Sequence, residues 1–220
     1  MHSKPDSVQR LLSWCSLKRI HIDERLSVIQ DEIAGEISVF NLTDETIPVY
    51  QTLVTIPRRW MISIRTCTSS GSLITCLTDN GIHVPVYGHE AQLALALALY
   101  REFLLGSRSE WADYLQSLPQ KTVPIGLFWG YKYSDDDVPE REAIDWKGNH
   151  DMGRLFVNPE TGVERLTEIR GFYERVVEPF LSSSAEVNLR GYHHAYSLVT
   201  SRAFLVDGYH GLSMVPIADR

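Results

Sequence analysis

Residues 196–220 read YSLVTSRAFLVDGYHGLSMVPIADR. Two apolar stretches in this segment flank a turn-rich sequence, DGYHG, in which Gly208 and Gly211 permit positive φ angles. The first stretch, Tyr196–Val206, predicts a helix that runs into a strand. The second, Leu212–Ala218, predicts a strand. Because apolar runs rarely end at an exposed terminus, we expect this strand to belong to a fold that continues beyond residue 220.

Helical periodicity marks four further segments. Residues 5–17 carry apolar side chains on one helical face, and residues 89–105 are rich in Leu and Ala, which favour helix. Ser107 with Glu110, and Thr161 with Glu164, match the spacing of a capping box, so each pair predicts a helix start. The helix after the second box is expected to end at the serines of residues 182–184.

Short apolar pieces separated by polar turns predict a small β-meander between residues 21 and 50. The predicted strands are Ser27–Ile29, Ile37–Phe40 and Ile47–Tyr50. The Ser- and Thr-rich residues 68–72 predict a loop.

Composition describes an ordinary globular protein of 220 residues, with 44% hydrophobic and 22% charged residues. The formal net charge of −7 argues against binding to nucleic-acid phosphates. The longest apolar run, Leu93–Tyr100, is far shorter than the roughly 18 residues that span a bilayer. Three cysteines without Cys-x-x-Cys spacing favour reduced thiols, and thus a cytoplasmic or nuclear protein.

Several motifs, taken in order, resemble those of a known family. Residues 201–204 (SRAF), 209–212 (YHGL) and 214–219 (MVPIAD) are similar to segments of the SET domain of protein-lysine methyltransferases. Residues 55–57 (TIP) and 61–63 (MIS) resemble a step that closes the first part of that domain. The resemblance is nearest to the subgroup similar to the plant Rubisco large-subunit lysine methyltransferase. Its most specific string is GSRSEWADYLQSLP at residues 106–119, which resembles a signature of the helical insertion of that subgroup.

The resemblance implies an α+β fold, an incomplete SET domain of small β-sheets with a large helical insertion. It divides the chain into an N-terminal SET portion at 1–87, the insertion at 88–190 and the start of the C-terminal SET portion at 191–220.

The implied function is S-adenosylmethionine-dependent methylation of a lysine in a protein substrate, without membrane or nucleic-acid partners. By resemblance, Gly35, Glu36, Ile37, Ser38 and Asp219 are expected to bind the cofactor. The family carries a Gly-x-Gly turn where this chain has only Gly35, so a plain strand entry is an open alternative.

By the same resemblance, Arg202 is expected to bind the substrate. The family's Asn-His pair and catalytic tyrosine would follow residue 220. The resemblance therefore names no catalytic residue here, and we expect residues 1–220 alone to be inactive.

Other chemistries find little support in the sequence. His193, His194 and His210 lack the spacing of a metal site, since neighbouring side chains diverge and no fourth ligand is placed to join them. Ser201, His210 and Asp207 could suggest a hydrolase, but the sequence around Ser201 lacks the Gly-x-Ser-x-Gly turn of such enzymes. The alternative to an enzyme is a non-catalytic SET-like module that binds a protein partner through its helical insertion.

Overall fold

The computed structural model describes residues 6–30, 37–133, 156–159 and 161–217. Its elements are α1 (Asp6–Leu17), β1 (His21–Ile22), β2 (Leu26–Gln30), β3 (Ile37–Asn41), β4 (Val54–Thr55), α2 (Ser70–Asp79), α3 (His89–Leu105), α4 (Ala112–Ser117), α5 (Arg165–Phe172), α6 (Glu178–Leu181), α7 (Leu189–Arg202), β5 (Ala203–Asp207) and β6 (Gly211–Met214). A π-helical segment, Tyr173–Val177, joins α5 to α6. This mixture of helices and small antiparallel sheets confirms the expected α+β class.

Helix α3 lies at the centre of the hydrophobic core. Every residue from Leu93 to Tyr100 is buried, because leucine and alanine cover the whole circumference of this helix and leave no polar face. Each fully buried leucine contributes about 1.5–3 kcal/mol, so this helix is a principal source of stability. The Leu/Ala stretch is therefore helical, as predicted.

Helix α7 packs along α3, and the two helices approach closely where Gly191 meets Tyr100. A Cβ atom at Gly191 would approach the ring of Tyr100 to 2.6 Å, so glycine permits the contact. The phenol of Tyr100 accepts a hydrogen bond from the Asn188 backbone N–H (2.9 Å), and the Tyr192 hydroxyl donates to the Leu93 carbonyl (3.0 Å). These bonds fix the register of the two helices.

The strands form three two-stranded antiparallel sheets, which pair β1 with β4, β2 with β3, and β5 with β6. The predicted strand at Ile47–Tyr50 is wrong, since these residues lie in a turn and an irregular segment. Pro48 has no N–H to donate to a ladder, and Tyr50 has a positive φ of 67°. The strand that pairs with β1 comes later, at Val54–Thr55.

Two other boundaries differ from the predictions. Of the loop expected at residues 68–72, Thr68 and Ser69 do lie in a turn, but residues 70–72 open helix α2, whose Leu73 and Leu77 lie one turn apart and are buried. Its Thr75 and Thr78 hydroxyls donate to carbonyls four residues earlier, which satisfies these polar groups within the helix. The predicted strand Leu212–Ala218 ends at Met214, and Ile217 has a φ of 68°.

Neither predicted capping box forms. Helix α4 begins after Trp111, and Ser109, not Ser107, accepts the backbone N–H of Trp111 (3.2 Å). Helix α5 begins after Glu164 without a capping side chain, and the Thr161 hydroxyl donates to Glu168 instead. The chain nevertheless leaves its helical course after Leu181, at the predicted serines.

All three cysteines are free thiols, and Cys15 and Cys67 are buried. Burial raises the pKa of each of these two thiols to about 12, so neither is reactive at neutral pH. Among the described residues, no helix combines the length and apolar character needed to cross a membrane.

Candidate functional site

The β5–β6 hairpin, built from the C-terminal motifs, is held to the core by backbone hydrogen bonds. Ile62 and Met214 exchange two bonds, of 3.0 Å and 2.9 Å, and the Leu212 N–H donates to the Val86 carbonyl (2.9 Å). Gly211 makes this approach possible. It has a φ of 66°, and a Cβ atom there would lie 2.7 Å from the Val86 oxygen. Residue 211 is therefore a position of the hairpin at which a side chain would collide with the Val86 backbone.

The turn of this hairpin is organised by the carboxylate of Asp207. One of its oxygens accepts the backbone N–H groups of Tyr209 (2.9 Å) and His210 (2.7 Å), and the other pairs with Arg58. The His210 ring also contacts this carboxylate, at 3.1 Å. Partial burial is the largest cause of the lowered pKa of His210, and the positive charges of Arg58 and Arg65 lower it further. These contacts tie the turn to the segment that precedes α2.

The described residues among those predicted to bind cofactor and substrate lie on different elements. Ile37 and Ser38 begin β3, opposite Gln30 and Ile29, whereas Arg202 is the last residue of α7 and donates to the Ser201 hydroxyl (2.8 Å). The β2–β3 and β5–β6 strand pairs contact the same core, since Ile37 packs against the cluster that contains Met214. Gly35, Glu36 and Asp219 lie outside the described residues.

A cleft of about 440 Å³ opens elsewhere, between the start of α3, helix α7 and the start of α5. We call it the His89 cleft. It is lined by Gly88, His89, Gln92, Ile125, Gly126, Leu127, Phe156, Arg165, Tyr196 and Thr200. None of the described residues predicted from the family resemblance lines it.

His89 and Tyr196, which line the cleft, form a cluster with Glu168, which lies behind His89 and does not line the cleft. The Tyr196 hydroxyl lies 3.2 Å from His89 Nδ1, and His89 Nε2 lies 3.3 Å from Glu168 Oε2. Nε2 and Oε2 are buried and form no well-directed hydrogen bond with any described residue. The other oxygen of Glu168 accepts bonds from Asn158 (2.7 Å) and Thr161 (3.2 Å). Glu168 is thus held by Asn158 and Thr161, with its second oxygen close to the imidazole.

Burial decides the protonation of this cluster. It is the largest cause of the lowered pKa of His89. Arg165 lowers that pKa further, while Glu168 raises it by a smaller amount. Burial also raises the pKa of Tyr196 to about 12. At neutral pH the imidazole and the phenol are therefore both uncharged, which suits binding and polar recognition better than nucleophilic attack.

Sequence reasoning missed the His89 cleft because its polar residues come from distant positions. Arg165 and Glu168 open α5, His89 opens α3, and Tyr196 lies within α7. No local motif links them. The one available signal was Gly88-His89 at the start of a predicted helix, and it indicates a helix terminus without indicating a ligand.

The other candidate constellations do not assemble. His193 contacts Phe128, Tyr131 and Tyr133, whereas His194 Nε2 lies 2.8 Å from the Pro119 carbonyl oxygen. No cluster of three or more potential metal ligands occurs among the described residues.

The hydrolase hypothesis is not supported, because Ser201 does not contact His210. The Ser201 hydroxyl donates to the carbonyls of Ser197 (2.8 Å) and Leu198 (3.2 Å), within its own helix, although His210 and Asp207 are in contact.

Comparison with known proteins gives one distant relative. No protein-family model matches the chain. An uncharacterized protein of Schizosaccharomyces pombe is 24% identical over 219 residues, an alignment that covers 96% of this chain and 42% of the relative. The chain thus spans less than half the length of this relative, and it is similar to a protein whose description states no activity.

Proposed function

We propose that this chain carries the scaffold of a SET-type protein-lysine N-methyltransferase that uses S-adenosylmethionine. In this proposal its pocket is completed by residues outside positions 1–220. The protein acts in the cytoplasm or nucleus on a protein substrate, without membrane or nucleic-acid partners. The three-part division at residues 87 and 190 belongs to the same proposal.

One contact supports this proposal above the others. Ile62, within a segment that resembles the family's first closing step, pairs through two hydrogen bonds with Met214, at the start of the segment that resembles its C-terminal motif. The two segments lie far apart in the sequence. Their pairing in space is the relationship expected of two parts of one site.

The chemistry sets demands on the completed pocket. A free lysine has a pKa near 10.4, so its neutral form costs about 4–5 kcal/mol at pH 7. An apolar, water-excluding channel lowers this cost by disfavouring the ammonium form. S-adenosylmethionine supplies the methyl group, carried on a sulfonium centre. The amine must therefore be held neutral and in line with that group.

The residues predicted from the resemblance have roles in this proposal. Ile37 and Ser38, with Gly35, Glu36 and Asp219, bind the cofactor, and Arg202 binds the substrate. Ile37 and Ser38 lie on β3, which pairs with β2, and Arg202 is the last residue of α7, directly before β5. The remaining walls of the cofactor pocket come from residues outside positions 1–220.

A second candidate function is a non-catalytic SET-like module that binds a protein partner. The observation in its favour is that Phe204, Leu205 and Tyr209 of the β5–β6 hairpin are exposed. Tyr87 is also exposed, and it follows Val86, whose carbonyl accepts a hydrogen bond from Leu212 of the hairpin. Exposed apolar side chains of this kind are candidates for contact with a partner.

The experiment that separates the two functions measures methyl transfer by the full-length gene product. The purified full-length protein is incubated with radiolabelled S-adenosylmethionine and a cell lysate. Acid-stable label on protein lysine is counted and compared with a reaction that lacks the purified protein. We expect lysine labelling. We also expect Arg202→Ala to lower kcat/KM by about tenfold or more through the loss of charged hydrogen bonds. Arg190→Ala, at the other end of α7, is the matched control. An absence of label from a folded protein that captures a partner would favour the binding module.

A further inference from the structure

We propose that the His89 cleft is a binding site for a carboxylate carried on an apolar body, such as an aryl-substituted organic acid or the C-terminus of a peptide that ends in an apolar residue. The site is separate from the proposed methyl-transfer pocket, and the inference does not depend on that function.

The cleft has the size and walls of a small-molecule site. Its volume of about 440 Å³ falls within the range of about 300–1,000 Å³ that is usual for ligand pockets. Ile125, Leu127 and Phe156 supply apolar wall on one side. A Cβ atom added at Gly126 would lie 3.1 Å from the ring of Phe156, so the glycine backbone packs closely against this ring. These surfaces suit a flat apolar group.

Arg165 supplies the cation that selects an anion. It lines the cleft and is half-buried, and it has no hydrogen-bonding or ion-pair partner among the residues that the structure describes. A guanidinium group presents paired N–H donors that match the two oxygens of a carboxylate. In the nearby Glu168, Oε1 accepts hydrogen bonds from Asn158 and Thr161, and Oε2 lies 3.3 Å from His89 Nε2. Arg165 therefore retains its capacity for a ligand.

The start of α3 adds favourable electrostatics at the same place. Gly88, which lines the cleft, occupies the N-cap position, and no side chain caps this 17-residue helix. Unsatisfied N–H groups and the positive end of a helix dipole attract an anion. Glu90 in this first turn is exposed, so water weakens its opposing charge.

Uncharged polar groups complete the site. His89 and the phenol of Tyr196 are both uncharged at neutral pH. Among the residues that line the cleft, Arg165 therefore carries the positive charge. Gln92 and Thr200 offer an amide and a hydroxyl on the same lining. A few polar groups set in an apolar wall fix the orientation of a ligand and distinguish it from neutral analogues.

The test is a two-dimensional NMR titration of residues 1–220 with 3-phenylpropionate. We expect saturable shifts at His89, Phe156 and Tyr196, and binding about tenfold weaker for the neutral 3-phenylpropionamide, because the charged hydrogen bonds to Arg165 are lost. N-acetyl-Gly-Phe with a free carboxylate, compared with its C-terminal amide, tests the peptide source. Inorganic phosphate tests an anion without an apolar body, and we expect it to bind more weakly.

Two variants localise the effect. Arg165→Gln should weaken 3-phenylpropionate binding by about tenfold, whereas Arg170→Gln should not, because Arg170 is exposed and pairs with Glu174 in the π-helical segment that follows α5 (2.9 Å). Equal binding of the acid and the amide to the unmodified chain would overturn the proposal, whether or not the variants fold. So would unchanged binding by a folded Arg165→Gln, or an absence of saturable shifts at the cleft.

Discussion

Replacement of Gly211 by alanine tests how the β5–β6 hairpin is attached. A Cβ atom at this position would lie 2.7 Å from the Val86 carbonyl oxygen and 3.0 Å from its Cα, and the backbone would have to keep a φ of 66°. The left-handed conformation costs a non-glycine residue about 1–2 kcal/mol. Displacement of Val86 also weakens its hydrogen bond from Leu212, worth about 0.5–1.5 kcal/mol. We therefore expect the free energy of unfolding to fall by about 2–3 kcal/mol.

The assay is urea denaturation followed by tryptophan fluorescence and circular dichroism. Gly208→Ala is the matched control in the same turn, because a Cβ atom there meets nothing within 4 Å and its φ is not in the left-handed range. We expect the control to unfold within about 0.5 kcal/mol of the unmodified chain. Equal stability of Gly211→Ala and Gly208→Ala would refute the reasoning that a side chain at residue 211 collides with the Val86 backbone.

Three further predictions concern the core and α2. Burial lowers the pKa of His193 from 6.5 to about 4, so the unfolded state binds more protons between these values. Stability should therefore be lost as the pH falls from about 6.5 to about 4, by up to about 3 kcal/mol, and acid denaturation of His193→Gln should show a shallower slope. Glu102→Ala removes the buried acceptor of the Thr68 N–H (2.7 Å) and the Ser109 hydroxyl (2.6 Å), so thermal and urea unfolding should show a loss of about 2–4 kcal/mol. Gly71→Ala, in open space on α2, should raise the free energy of unfolding by about 0.5–1 kcal/mol in the same assay.

Helices with a dense apolar pattern could be predicted from the sequence. Residues 5–17 and 89–105 correspond closely to α1 and α3, and the passage from helix to strand near residue 203 is also present. These segments bury most of their apolar side chains, so the pattern that predicts them is also the source of their stability.

Segments with weak or mixed patterns were predicted poorly. Helix α2 has only a short apolar stripe, and its Ser and Thr residues resemble a loop until their hydroxyls are seen to bond within the helix. The predicted strand at Ile47–Tyr50 fails because Pro48 cannot donate to a ladder. The capping boxes matched in spacing, but the chain entered α4 and α5 at other residues.

The two candidate sites also differ in how far the sequence indicates them. The family resemblance identified Arg202, Ile37 and Ser38, which lie in ordered elements at the start or end of a strand or helix. The His89 cleft has no local motif, since its histidine, glutamate and tyrosine are brought together only by the packing of α3, α5 and α7. A single sequence gives periodicity along the chain, and this does not specify which polar side chains meet across helices.

Calorimetric titration of S-adenosylmethionine into two proteins, residues 1–220 and the full-length gene product, tests the proposed function most directly. The account predicts micromolar binding by the full-length protein and no measurable heat of binding for residues 1–220, because the cofactor pocket needs residues outside them. Micromolar binding by residues 1–220, or an absence of binding by the folded full-length protein, would contradict it.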